Sequence, residues 1–169
     1  STDRRSNRES KNGKQSGRTI EIQRLIGRSL RTIIDLNKIK GLQFILDCDV
    51  IQADGGTRTA SVTGAFIALF LAVKKMLNDG VIKENPIKDY IAGISCGILN
   101  GEVFVDLDYS EDSNAEVDAN FIFTEKSGIA EIQISGEKNT YDFNSVEQMI
   151  KSARKAIDDI FKIQKDIIS

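Results

Sequence analysis

The stretch Asp47–Cys48–Asp49–Val50–Ile51–Gln52–Ala53–Asp54–Gly55–Gly56–Thr57–Arg58–Thr59–Ala60 does most to limit how this chain can fold. Upstream, Leu42, Phe44, Leu46, Cys48 and Val50 alternate with Gln43, Asp47 and Asp49, which predicts a half-buried strand. Downstream, Ala60 to Leu77 carries Phe66, Ile67, Leu69, Phe70, Val73 and Met76 and predicts a buried helix. The junction therefore reads as strand, glycine turn, helix N-terminus. A glycine pair lets a backbone approach a ligand closely, and first-turn amides point outward with the positive end of the helix dipole. Arg58 adds a rigid fork of donors, and Thr57 and Thr59 add hydroxyls. Such a junction suits an anion. Taken alone, it is equally a tight turn with a capping threonine.

The wider composition narrows the chemistry. With 169 residues, 40% of them hydrophobic, and a single proline, the chain is expected to form one globular domain over residues 1–169. No apolar run reads as long and charge-free enough to span a membrane, and the opening residues are polar, so no signal peptide is read. Cys48 and Cys96 both sit in apolar strand patterns and are expected to be buried free thiols in a reducing, cytoplasmic compartment. Histidine is absent, which removes Ser-His-Asp and Cys-His catalysis and ordinary zinc sites. Any chemistry must come from carboxylates, Arg, Lys, hydroxyls and a hard metal.

Charge is unevenly spread. Residues 1–31 hold nine basic groups against three acidic ones, although the whole chain is −2. That polarity can attract a phosphate backbone locally, or it is simply a solvated tail. Residues 1–17 lack large apolar side chains and are expected to be a mobile basic segment. The chain opens on Ser1 rather than methionine, so upstream sequence is expected to be absent.

In chain order, Ile22, Leu25, Ile26, Leu30 and Ile33 predict an amphipathic helix from Thr19 to Asn37, with Arg24, Arg28 and Arg31 on its polar side and an Arg31–Asp35 pair. Arg18 lies just before it. After the central helix, Tyr90–Leu99 and Glu102–Asp108 predict a hairpin across Asn100–Gly101. A loop over Tyr109–Ala115 leads to a strand from Glu116 to Thr124, on which Val117, Ala119, Phe121 and Phe123 share one face. A further strand runs from Ile129 to Ser135, and Asn144 or Ser145, with Gln148 in a capping box, opens a final helix. The order predicts an α+β fold with a mostly antiparallel sheet.

Asp106, Asp108, Glu111, Asp112, Glu116 and Asp118 fall within thirteen residues. Asp106 and Asp108 are expected on one strand face, and Asp112 and Asp118 can converge across the bend. Few carboxylates with waters and substrate phosphate suit magnesium or manganese. The plain alternative is a solvated acidic bend.

Taken together, Gly17–Arg18–Thr19, Glu21–Ile22–Gln23–Arg24–Leu25–Ile26–Gly27–Arg28–Ser29–Leu30–Arg31, the Asp47-to-Thr59 stretch, and Asp106–Leu107–Asp108–Tyr109 with Glu111–Asp112–Ser113 closely resemble the bacterial ribonuclease PH family over nearly all of residues 4–165. The resemblance implies a ribonuclease PH-like (ribosomal protein S5 domain 2-like) fold, with a mixed, mostly antiparallel sheet packed with helices. It implies a phosphate-dependent 3′-to-5′ exoribonuclease, a nucleotidyltransferase that trims tRNA precursor 3′ ends, takes part in rRNA processing, and releases nucleoside diphosphates. By matching positions it assigns phosphate binding to Arg18, Gly56, Thr57 and Arg58. Catalysis and Mg2+ or Mn2+ binding fall to Asp112 and Asp118, and RNA contact to Arg4, Arg5 and Arg8. It implies a hexameric ring built from dimers. Family members carry a sizeable N-terminal part ahead of the residue matching Arg4, so the domain is expected to be N-terminally incomplete. A non-catalytic RNA-binding or ring-scaffold subunit stays open as the alternative. Such a copy would have no reason to keep Arg18, Arg58, Asp112 and Asp118 together.

Overall fold

A computed structural model describes residues 13, 15–126 and 128–169. Arg4, Arg5 and Arg8, and most of the basic segment with them, lie outside the described residues. Helix α1 (Gly17–Thr32) opens at the N-cap Ser16, whose hydroxyl accepts from the Thr19 amide at 3.2 Å. It ends five residues before the expected Asn37. Asp35 does not pair with Arg31. Its carboxylate instead accepts from the Asn37 amide at 3.0 Å and caps a short 3-10 turn, Leu36–Ile39.

The expected strand over 42–50 is not formed. The segment carries no ladder, and Ile45 and Ile51 are 86% and 97% exposed. Only Phe44 and Leu46 turn partly inward onto the core. A strand needs a neighbour to satisfy its backbone, and among the described residues none runs beside this one. Cys48 is consequently exposed rather than buried.

Helix α2 (Thr57–Asn78) follows Gly56. By length and composition alone it could cross a membrane, against the expectation that no run in the chain is long and apolar enough. In the fold Val62, Ala65, Phe66, Leu69 and Val73 are buried instead, packed with α1 and the sheet.

Four antiparallel strands follow: β1 (Ile91–Leu99), β2 (Glu102–Val105), β3 (Val117–Thr124) and β4 (Ile129–Gly136), in the order β2-β1-β3-β4. Asn100 and Gly101 take φ of 52° and 77°, the paired left-handed conformation of a two-residue hairpin turn. Strand β2 stops at Val105 because Asp106 turns to φ 61°, so Asp106 and Asp108 do not share a strand face. The expected loop after it holds a short helix, α3 (Tyr109–Asn114), fixed by a capping box. The Asp108 carboxylate accepts from the Glu111 amide at 2.8 Å, and the Glu111 carboxylate accepts from the Asp108 amide at 2.9 Å.

Helix α4 (Phe143–Ile168) closes the chain. Its N-cap is Asp142, which accepts from the Ser145 amide at 2.8 Å, so Ser145 supplies the capped amide rather than the cap.

The result has three layers. One sheet face meets α1 and α2 through Ile91 and Ile122. The other buries Ala92, Ile94, Cys96, Val117, Ala119, Phe121 and Phe123 against Met149, Ala153, Ile157 and Phe161 of α4. The strand period of two then decides what faces α2: Gly93, Ser95 and Gly97 on β1, and Asp118 and Asn120 on β3, with Ser95 opposite Asn120 and Gly97 opposite Asp118. The α4 face is apolar and large. The α2 face is small and polar, and it leaves room for a site.

Candidate active site

The turn before α2 is held by one carboxylate. Asp54 Oδ1 accepts from the Gly55 amide at 2.9 Å and from the Tyr109 amide at 2.6 Å, tying the turn to the start of α3. Gly55 is required by proximity, since a Cβ there would lie 1.9 Å from the Leu107 carbonyl oxygen. Gly56 is required by conformation, with φ at +70°. It makes no side-chain cap, so the first-turn amides of α2 are left to other acceptors.

Around that helix start lies a cavity of about 270 Å³, lined by Arg18, Gly56, Thr57, Arg58, Asp112 and Asp118 among others. Six of the residues assigned from sequence therefore meet in one place. Arg18, from the first turn of α1, makes no ion pair with the described residues. The Arg58 guanidinium lies 3.7 Å from Glu21 and 3.8 Å from Asp118, distances loose enough to leave donors for an anion. Thr59 contributes no hydroxyl: it is buried, and its Oγ1 donates to the Gly56 carbonyl at 2.8 Å.

The acidic cluster divides. Asp108 and Glu111 are used in the capping box, and Glu116 accepts from the Asn100 amide at 3.0 Å. Asp112 and Asp118 alone of the six reach the cavity. Burial pushes the Asp118 carboxyl above the ordinary carboxylate range, and the Asp112 charge pushes it further, against the opposing pull of Arg58. Two carboxylates placed together, one of them buried, form a donor set whose repulsion a hard divalent cation relieves. Among the described residues no three carboxylates or thiols cluster, so such a cation would rely on substrate oxygens and water for its remaining ligands.

Two wall residues escaped the sequence reading. Ser95 is the one hydroxyl residue in the nine residues of β1, and Asn120 interrupts the apolar run of β3. A polar residue inside a buried strand was the available signal, Ser95 alone on β1 and Asn120 next but one to Asp118 on β3. Both are buried, at 3% and 5% exposure.

With this geometry in view, the known proteins that the chain resembles fall into one group. A model of the 3′ exoribonuclease family, domain 1, matches residues 1–75, and one of domain 2 matches residues 89–156. The cavity lies across their junction, with Arg58 from the first and Asp112 and Asp118 from the second. Ribonuclease PH from two strains of Caulobacter vibrioides is 52% identical over 167 residues, 99% of this chain and 70% of that protein. In fold, the chain is similar to rice (Oryza sativa) Rrp46, with a TM-score of 0.66 at 18% identity over 93% of this chain and 68% of that one. It is also similar to the Archaeoglobus fulgidus exosome with RNA bound to the active site, with a TM-score of 0.62 at 20% identity over 87% and 63%.

Proposed function

The chain belongs to the 3′ exoribonuclease family, in its ribonuclease PH branch, and from that premise we propose that the cavity between α2 and the sheet is its phosphorolytic site. The protein is a phosphate-dependent 3′-to-5′ exoribonuclease acting on tRNA 3′ ends. The observation that carries the site assignment is the gathering of Arg18, the open N-terminus of α2, Arg58, Asp112 and Asp118 around one cavity.

In this reaction an oxygen of hydrogen phosphate attacks the phosphorus of the last phosphodiester. The bond to the 3′ oxygen of the preceding nucleotide breaks, and that oxygen takes the proton that the phosphate carried. The products are a nucleoside diphosphate and an RNA one residue shorter. Little covalent work falls to the protein, so placement and charge neutralisation dominate. Arg18 and Arg58, with the α2 amides, hold the attacking anion and draw off its charge. Asp112 and Asp118 are the residues that would hold Mg2+ or Mn2+, which when bound supplies positive charge beside the reacting phosphates. What supports this over a scaffold role is that all four charged groups face the same space.

Arg4, Arg5 and Arg8 are assigned to the RNA backbone, extending the positive field beyond the cavity. A hexameric ring built from dimers is the proposed assembly, carried over from the resemblance to ribonuclease PH. The free thiols suit a cytoplasmic setting. Residues 1–169 form one domain with a basic N-terminal segment, and they span 70% of the length of the ribonuclease PH relatives. Replacing Arg58 with Ala tests the site. The phosphate concentration for half-maximal rate is expected to rise about tenfold or more, the scale of losing a charge-assisted contact, while RNA affinity holds. Unchanged phosphate dependence would overturn the assignment.

A further inference from the structure

Ser95 occupies an unusual position. It sits mid-strand on β1, on the face turned toward α2, and it is 3% exposed. Its Oγ is buried without a hydrogen-bond partner. Buried hydroxyls are almost always paired, so an orphan calls for a reason. The neighbouring groups supply one. A Cβ on Gly56 would lie 3.1 Å from Ser95 Oγ, which places the hydroxyl directly beneath the residue that opens α2. Any side chain at position 56 would cover it. Glycine there leaves Ser95 facing the space that Thr57, Arg58, Asp118 and Asn120 also line.

We propose that Ser95 is an anion-contact residue of this site, its Oγ–H donating to an oxygen of the phosphate held at the N-terminus of α2. The inference rests on reading the cavity as a phosphate site and adds a ligand to it. Two independent observations converge: a helix start whose amides carry no side-chain cap, and an unpartnered hydroxyl aimed at the same place. Gly56 then has two duties, supplying the left-handed turn and placing no side chain against the hydroxyl. The bound anion completes the only donor bond that Ser95 lacks. Loading the site is therefore coupled to satisfying a buried polar group, and the empty site carries an unpaired donor.

This coupling makes a contact role separable from a structural one. A structural serine, once truncated, lowers stability with or without ligand. An unpaired buried hydroxyl does not, because its removal deletes an unsatisfied group. The test uses the full chain with inorganic phosphate as the probe, measured by calorimetric titration and by melting temperature with and without phosphate. Ser95→Ala is expected to weaken phosphate binding about tenfold, while its melting temperature in phosphate-free buffer matches or exceeds that of the parent. Ser95→Cys, of similar shape but a poor donor, should follow Ala. In turnover, KM for phosphate should rise by a similar factor. If the parent binds phosphate and Ser95→Ala binds it equally well, the Ser95 assignment fails and the phosphate site stands. It also fails if Ser95→Cys retains parental affinity, or if Ser95→Ala melts markedly lower without phosphate. If the parent itself shows no phosphate binding, the reading of the cavity fails and Ser95 with it.

Discussion

Residues 42–50 and strand β3 carry the same alternating signature and end in opposite states. Val117, Ala119, Phe121 and Phe123 of β3 are buried against α4, and the strand is laddered to β1 on one side and β4 on the other. In the upstream segment Phe44 and Leu46 turn partly inward, while Leu42, Ile45, Val50 and Ile51 remain exposed and no ladder forms. Alternation defines which face of a strand is apolar. It says nothing about whether a neighbouring strand stands ready to satisfy the backbone. The site depends on the paired region for Asp118 and its floor, and the unpaired one only leads into its glycine turn.

The largest effect expected from this contrast is on stability. Phe121→Ala should cost about 3–5 kcal/mol by urea denaturation, the usual range for emptying a buried aromatic site. Ile51→Ala, at a side chain 97% exposed, should stay within about 0.5 kcal/mol. A comparable loss at both positions would break the distinction between the two regions.

A second change separates function from stability within β3 itself. Asp118→Asn removes a carboxylate that burial and Asp112 already disfavour in its charged form. In chelator-treated protein the melting temperature should hold or rise. Turnover should fall about a hundredfold or more, the scale of deleting one preorganised electrostatic contact. Retained turnover would remove Asp118 from the chemistry.

The smallest effect is a rate of labelling. Cys96, buried on β1, has its thiol pushed up to about 12 by desolvation, so at pH 8 only about one part in ten thousand is thiolate. Cys48 in the unpaired segment is exposed, although partial desolvation and Asp47 raise its pKa as well. A disulfide reagent should therefore titrate one thiol per native chain and the second only after unfolding. Rapid reaction of both would show that β1 opens as readily as the upstream segment.

Most of the fold was legible because its signals were local. The apolar run of α2, the Asn100–Gly101 hairpin, and the α4 stripe of Met149, Ala153, Ile157 and Phe161 each carry their own period or turn chemistry. The failures were of two kinds. Residues 42–50 depended on a neighbour that no local pattern can report. Helix α3 has no apolar stripe, and only the Asp108–Glu111 spacing announced it. The same division runs through the site. Arg18, Gly56, Arg58, Asp112 and Asp118 stood out by residue type and by resemblance, whereas Ser95 and Asn120 gain their place only from the register that sets them opposite each other beneath α2.

The central claim is that inorganic phosphate, held beside Arg58 at the start of α2, is the nucleophile. Isotopically labelled phosphate supplied with RNA and magnesium tests it most directly. The label is expected in the terminal phosphate of released nucleoside diphosphates and in no other product. Release of unlabelled nucleoside monophosphates, at a rate indifferent to phosphate, would contradict it.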